Sequence, residues 1–167
     1  MGGTVKHIKE KVQMRQIFSM LLTLLLMLVI AVCLTGNRQS TKPIEEVAEP
    51  VLAAFADTRT TESPGRMLKK YYGLNPEDYQ DVILYFPLTN MDAEELLIIR
   101  LADPSQAEEV REAIRLRQQT QIGIYENYAP EQLALCEQAV IDICGNYVLY
   151  VVYEQASEID RIFRSSL

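Results

Sequence analysis

The sequence predicts an α+β domain behind an N-terminal transmembrane helix. The domain is expected to hold a four-stranded, mostly antiparallel sheet of two hairpins, with helices packed on it. Three observations predict this. Residues 17–34 are 18 consecutive residues without a charge, roughly 27 Å long as a helix and so close to the thickness of a bilayer's hydrocarbon. Two pairs of β-rich runs follow, at residues 81–86 with 94–101 and across residues 139–153. Around them, apolar residues recur at helical spacing.

The first element is the apolar stretch. Lys6, Lys9, Lys11 and Arg15 precede it against a single acid, Glu10. That excess holds the N-terminus in the cytoplasm and sends the rest outward, as a single-pass protein of the cell membrane. Residues 1–16 are then a basic cytoplasmic tail, 17–36 the transmembrane anchor or signal segment, 37–42 a linker, and 43–167 the extracytoplasmic domain. An uncleaved anchor is the favoured fate. A secretory signal has a shorter apolar core, of about 7–15 residues, and a small-x-small cleavage site that "AVCLTG" supplies poorly. A lipoprotein signal would place its lipid on Cys33, but Val32 stands where Gly, Ala or Ser is expected. Gly2 is not a myristoylation signal, because Lys6 occupies the position that wants Ser or Thr.

In the outer part, Pro43 opens a helix carrying Ile44, Val47, Ala48, Val51 and Phe55 on one face. Pro50 falls inside it and is expected to kink or split it near Glu49. Residues 58–65, "TRTTESPG", read as a loop. A short helix with Met67, Leu68, Tyr71 and Tyr72 stops at Gly73. The first hairpin joins residues 81–86 to 94–101 through "PLTNMDA", too short for anything but antiparallel pairing. Asp103 then caps a helix that starts at Pro104 and runs to about Tyr128. Pro130 opens another, short helix. Gly145-Asn146 is a two-residue turn between β-rich runs. It sets Cys144 opposite Tyr147, Ile143 opposite Val148 and Ile141 opposite Tyr150. Both faces of this hairpin are largely apolar, which places it centrally in the sheet. Ala156, Ile159, Ile162 and Phe163 mark a final amphipathic helix.

Composition narrows the function. From Asn37 onward the chain carries 12 basic against 22 acidic residues. Such a surface lacks the basic stripe of a nucleic-acid binder, so no nucleic-acid partner is expected. The only histidine, His7, precedes the apolar stretch. That removes His-based triads, Cys-His dyads and His-ligated zinc from the outer domain. Neither a GxGxxG loop nor a P-loop occurs. No cofactor, metal or catalytic residue is expected. Cys136 and Cys144, near opposite ends of a helix–strand step, lie beyond disulfide reach and read as reduced, buried small hydrophobes.

The order of "LKKYYGLNPEDYQDVILYFP", "EELLIIRLAD", "QTQIGIYENYAPEQ" and "GNYVLYVV" resembles the family called domain of unknown function 4358. The resemblance covers roughly residues 43–167. It implies a small, exported bacterial domain, in many members carried on a lipoprotein signal, and brings no activity with it. Val32 departs from the lipoprotein members.

Three features invite chemistry. Asn90, Asp92 and Glu94 alternate oxygen ligands as calcium loops do, but without the central glycine and distal glutamate they read as a solvated hairpin loop. Ala107, Val110, Ile114, Gln121, Tyr125 and Tyr128 form one stripe of the long helix, bordered by Arg117 and Gln118. As helix, residues 104–128 would span about 37 Å against about 23 Å for a seven-residue strand. Overhang beyond the sheet, or a bend near Gly123, therefore accounts for Gln118 and Gln121. Otherwise Arg117, Gln118, Gln121 and Tyr125 line a polar pocket. Arg100 and Asp142 are charges inside apolar strands and are expected to face solvent near edges rather than each other.

The favoured function is non-catalytic binding of a protein or envelope component. A small-ligand sensor or carrier is the alternative, and its sign would be a closed apolar cavity bordered by Arg117 and Tyr125. Third comes a hydrolase built on paired carboxylates, which must stand about 5–9.5 Å apart in a cleft.

Overall fold

The computed structural model describes residues 16, 18–27, 39–56 and 58–167. The chain divides into two units, Met1–Arg38 and Gln39–Leu167. In the first, residues 18–27 are helical and their large apolar side chains are exposed. Of the expected span at residues 17–34, residue 17 and residues 28–34, Cys33 among them, lie outside the described residues. Among the described residues no helix is long and apolar enough to cross a membrane.

The second unit is α+β. Its helices are α1 (Ile44–Ala54), α2 (Pro64–Tyr72), α3 (Ala107–Tyr125), α4 (Pro130–Glu137) and α5 (Ala156–Ser166). Its strands are β1 (Thr60–Glu62), β2 (Asp81–Pro87), β3 (Glu95–Arg100), β4 (Val140–Cys144) and β5 (Tyr147–Val152). They form one sheet in the order β1-β2-β3-β5-β4, and every pairing is antiparallel. The expected count of four strands is therefore corrected to five. The extra strand comes from the stretch expected to be a loop: Thr60 pairs with Pro87 and Glu62 with Tyr85. Three residues carry no periodicity, but two β-branched threonines suit a pleated edge.

Both hairpins form as expected, and the second has the expected register, Cys144 with Tyr147 and Ile141 with Tyr150. Gly145 sits at φ 62°, the left-handed conformation a two-residue hairpin turn demands. Only half of that hairpin is central. β5 lies between β3 and β4 and is buried at all six positions. β4 is an edge strand, covered by helices on both faces rather than flanked by strands.

Alternation along the strands sorts the core into two layers. Leu84, Leu97, Ile99, Val148 and Tyr150 face α2, α3 and α4. Leu96, Ile98, Tyr147, Leu149 and Val151 face α1 and α5. Pro50 does not split α1, which is one helix with Ile44, Val47, Ala48 and Val51 buried. The proline is exposed, so the carbonyl it leaves without a donor, that of Glu46, faces water. Asp103 and Gln106 form a reciprocal capping box ahead of α3.

The domain grips the chain from Ser40, inside the expected linker. Asn146 holds Ser40 through both backbone groups: the Ser40 N–H donates to Oδ1 at 2.8 Å and Nδ2 donates to the Ser40 carbonyl at 3.1 Å. Tyr147 donates its hydroxyl to the Lys42 carbonyl at 2.8 Å. This end of the sheet is opposite the β2–β3 loop, since Arg100 pairs with Tyr147 while Glu95 pairs with Val152. Asn146→Ala should lower stability by about 1–2 kcal/mol, because two part-buried backbone groups lose their partners. Thermal denaturation followed by far-UV circular dichroism would show the drop.

Candidate functional site

Helix α3 buries Val110, Ala113, Ile114, Arg117, Gln121 and Tyr125 along one stripe. Arg117 lies within that stripe, not at its border. Opposite it stands Glu95, the first residue of β3, on the face of Leu97 and Ile99 and with 0% exposure. Nε of Arg117 donates to Glu95 Oε2 at 3.2 Å and Nη2 donates to the same oxygen at 2.7 Å. Tyr72 donates its hydroxyl to Glu95 Oε1. Gln121 donates from Nε2 to Glu95 Oε2 at 3.1 Å and accepts the Tyr150 hydroxyl at 2.9 Å. Two aromatic faces, Tyr71 and Phe86, pack 5.0 Å from the guanidinium carbon.

Burial raises the Glu95 carboxyl above its ordinary range, and Arg117, Tyr72 and Gln121 pull against that rise. Burial also pushes Tyr72 and Tyr150 well above the usual phenol value, Tyr125 up to about 12 and Cys136 up to about 11. The folded state thus keeps protons that the unfolded chain releases from about pH 9 or 10. For an acid raised in the fold, stability is full below the unfolded pKa and is lost as pH rises through the folded one. Stability should therefore be level near pH 8 and fall steadily between pH 9 and 12, read as urea midpoints across that range.

Above the buried network lies an open hollow of about 370 Å³. Arg117, Gln121, Tyr71, Phe86, Asp92 and Tyr125 contribute to its lining. Tyr125 donates to the Asp92 carbonyl at 2.7 Å, which ties the β2–β3 loop to the end of α3. Ile124 and Tyr128 line its mouth and are exposed. Leu88 and Met91, also exposed, belong to the same loop.

Of the four residues expected to line a pocket, Arg117, Gln121 and Tyr125 do so. Gln118 does not: its Nε2 donates at 2.8 Å to the Cys136 carbonyl, at the end of α4. Overhang does not account for either glutamine, since Gln121 is buried in the network. Helix α3 ends at Tyr125, earlier than expected. Sequence reasoning missed Glu95. A cation on the buried stripe of a helix calls for a buried acid. Glu95 shares the strand parity of Leu97 and Ile99, and that was the available signal.

The other candidates resolve differently. Asp92 accepts from Thr89 and pairs with Arg59 at 3.5 Å, while Glu94 accepts from the Arg59 N–H. Among the described residues no group of three or more His, Cys, Asp or Glu side chains could hold a metal ion. Arg100 and Asp142 share a sheet face but take separate partners, and both are largely buried rather than solvated. Arg100 pairs with Asp81 at 3.5 Å and lies over the Tyr147 ring. Asp142 accepts from Arg164 at 2.7 Å and from the Cys144 thiol. Beside it Asp160 is raised by burial and then by Asp142, so this is a carboxylate pair, but one spanned by Arg164 between β4 and α5. Cys136 and Cys144 are both free, the first buried and the second half-buried.

Among curated proteins and among solved structures, nothing matches the chain. The family described as "Domain of unknown function (DUF4358)" matches residues 54–153, from the end of α1 through β5, and with well over half of its length covered the chain belongs to that family.

Proposed function

We propose that this protein is a non-catalytic binding module, carried at the cell membrane by its N-terminal segment with the domain outside, and that it binds a protein or envelope component at the hollow beside the end of α3. The observation that carries the reading is the hollow itself, about 370 Å³ with exposed Ile124 and Tyr128 at its mouth. Cavities of this size suit ligand groups or single anchoring side chains, and clustered exposed apolar residues mark contact surfaces. Its floor is held rigid by the Glu95–Arg117 network, which favours recognition over induced rearrangement. The hollow is open and partly polar. That supports docking of a larger partner over the closed apolar cavity a small-ligand carrier would need. Any preceding segment joins the domain at Ser40, at the end of the sheet away from the hollow.

Hydrogen exchange on the purified full chain, with and without a detergent extract of the producing cell's envelope, tests this. Residues 88–93 and 122–128 should exchange more slowly with the extract present. Unchanged exchange in both segments would overturn the reading.

A further inference from the structure

We infer that the hollow takes a polypeptide segment, with an apolar side chain seated between Tyr125, Tyr128 and Ile124 and a backbone carbonyl accepting a hydrogen bond from Nη1 of Arg117. This rests on the binding reading above and specifies its ligand.

The key group is Arg117, more than nine-tenths buried at 7% exposure. Its hydrogen bonds run from Nε and Nη2, all to Glu95. Nη1 has no partner among the described residues. The one fully sealed, unbonded side-chain nitrogen or oxygen among them is Nε of Arg100. Nη1 is therefore not sealed, and the space Arg117 lines is the hollow. A donor fixed this firmly, with aromatic rings against its guanidinium, is pre-organised for an acceptor.

Charge selects which acceptor. Glu95 neutralises Arg117, and Asp92, the carboxylate in the wall, is paired with Arg59, so among the described residues the hollow offers no free cation to an anion. Beyond the hollow, the chain from Asn37 has 12 basic against 22 acidic residues. A carboxylate or phosphate would meet net repulsion, whereas an uncharged carbonyl meets none. The rim selects the carrier. Ile124 and Tyr128 line the hollow and are 44% and 55% exposed, and Leu88 and Met91, 61% and 63% exposed, adjoin its lining residues in the β2–β3 loop sequence. A sugar would leave its hydroxyls against these residues, and a compact small molecule would not reach them. A chain with a hydrophobic anchor does both, and lysine or arginine beside the anchor would complement the acidic surface.

The probes are short fluorescent peptides, acetylated and amidated, titrated onto the full chain in detergent by anisotropy. A central leucine or phenylalanine in a lysine–serine background should bind about tenfold or more tightly than a central serine, and about tenfold more tightly than the same anchor in a glutamate–serine background. The charge preference should shrink as salt rises. Ile124→Asp and Tyr128→Ser, at exposed positions, should each weaken binding about tenfold with the circular dichroism unchanged. Arg117→Lys, if folded, should weaken it as well, because lysine cannot hold Glu95 and offer the second donor in the same fork. Equal binding of serine-centred or acidic peptides, or full affinity in Ile124→Asp, overturns the inference. If the envelope extract protects the hollow while no peptide binds, only the peptide assignment falls; if the extract gives no protection either, both fall.

Discussion

Arg117→Met should lower stability by about 3–5 kcal/mol, because it leaves the Glu95 carboxylate buried without its cation. That is a large share of the roughly 5–15 kcal/mol that holds a domain of this kind together. The loss is not the worth of the ion pair. Glu95 has 0% exposure, so its charge depends on Arg117 for compensation, while the long methionine largely fills the space between Tyr71 and Phe86. The double variant Arg117→Met/Glu95→Gln should recover most of the loss and come within about 1 kcal/mol of the parent. Glutamine is the better replacement than leucine, since its one carbonyl oxygen can still accept from Tyr72, which now donates to Oε1 of Glu95, while Gln121, which now donates to Oε2, keeps its bond to the Ala93 carbonyl. Leucine would strand the Tyr72 hydroxyl in the core, and an unmet buried donor costs about 1–3 kcal/mol.

The sign with pH separates this account from simple loss of packing. Without Arg117, the Glu95 pKa, already raised by burial, rises further. A carboxyl raised in the fold supports folding fully below its unfolded pKa, and that support is lost as pH climbs through the folded value. The deficit of Arg117→Met should therefore be smallest at acid pH and grow toward pH 8, whereas that of the double variant should be flat. Urea midpoints of the full chain in mild detergent, read by near-UV circular dichroism of its nine tyrosines, would show both. A pH-independent deficit in the single variant would mean that Glu95 is not the group left uncompensated.

What the sequence revealed and what it hid divide along the range of the interactions. The β4–β5 hairpin was legible residue by residue, because Gly145-Asn146 fixes the turn and the turn fixes the register. The Asp103 cap and the Gly73 stop were legible for the same local reason. β1 was not, since Thr60–Glu62 becomes a strand only by pairing with residues 85–87. Pro50 does not split α1, because on the exposed side of the helix water can take the place of its missing hydrogen bond. The hollow was half legible. Arg117, Gln121 and Tyr125 fall on one helical stripe, but their common partner Glu95 lies in another element. Parity puts Glu95 with Leu97, yet nothing local says which sheet face α3 covers.

Phe163→Ala should cost about 3–5 kcal/mol, the other large effect, and it tests where the domain ends. Phe163 is fully buried, its ring edge-on to Tyr147 at 6.4 Å. With Ile159 and Ala156 it packs α5 on the sheet face that also receives Val47, Val51 and Phe55 from the α1 side. The family match at residues 54–153 stops before α5 and takes in only the last residue of α1. A fragment cut at those bounds would keep all five strands and the α2–α4 layer, but it would leave Leu96, Ile98, Tyr147, Leu149 and Val151 in water. A contiguous apolar sheet face of that kind is an aggregation site rather than a stable surface. The 54–153 fragment should therefore aggregate or lose its near-UV signal, while residues 39–167 unfold in one cooperative transition. Arg161→Ala, exposed on the far side of the same helix, should stay within about 0.5 kcal/mol of the parent. Should Phe163→Ala prove equally mild, α5 would be an accessory and the fragment would fold without it. Detectable family resemblance marks where sequences stay alike, whereas the fold needs both layers of its core, and the second layer is built from the two helices at the ends of the domain.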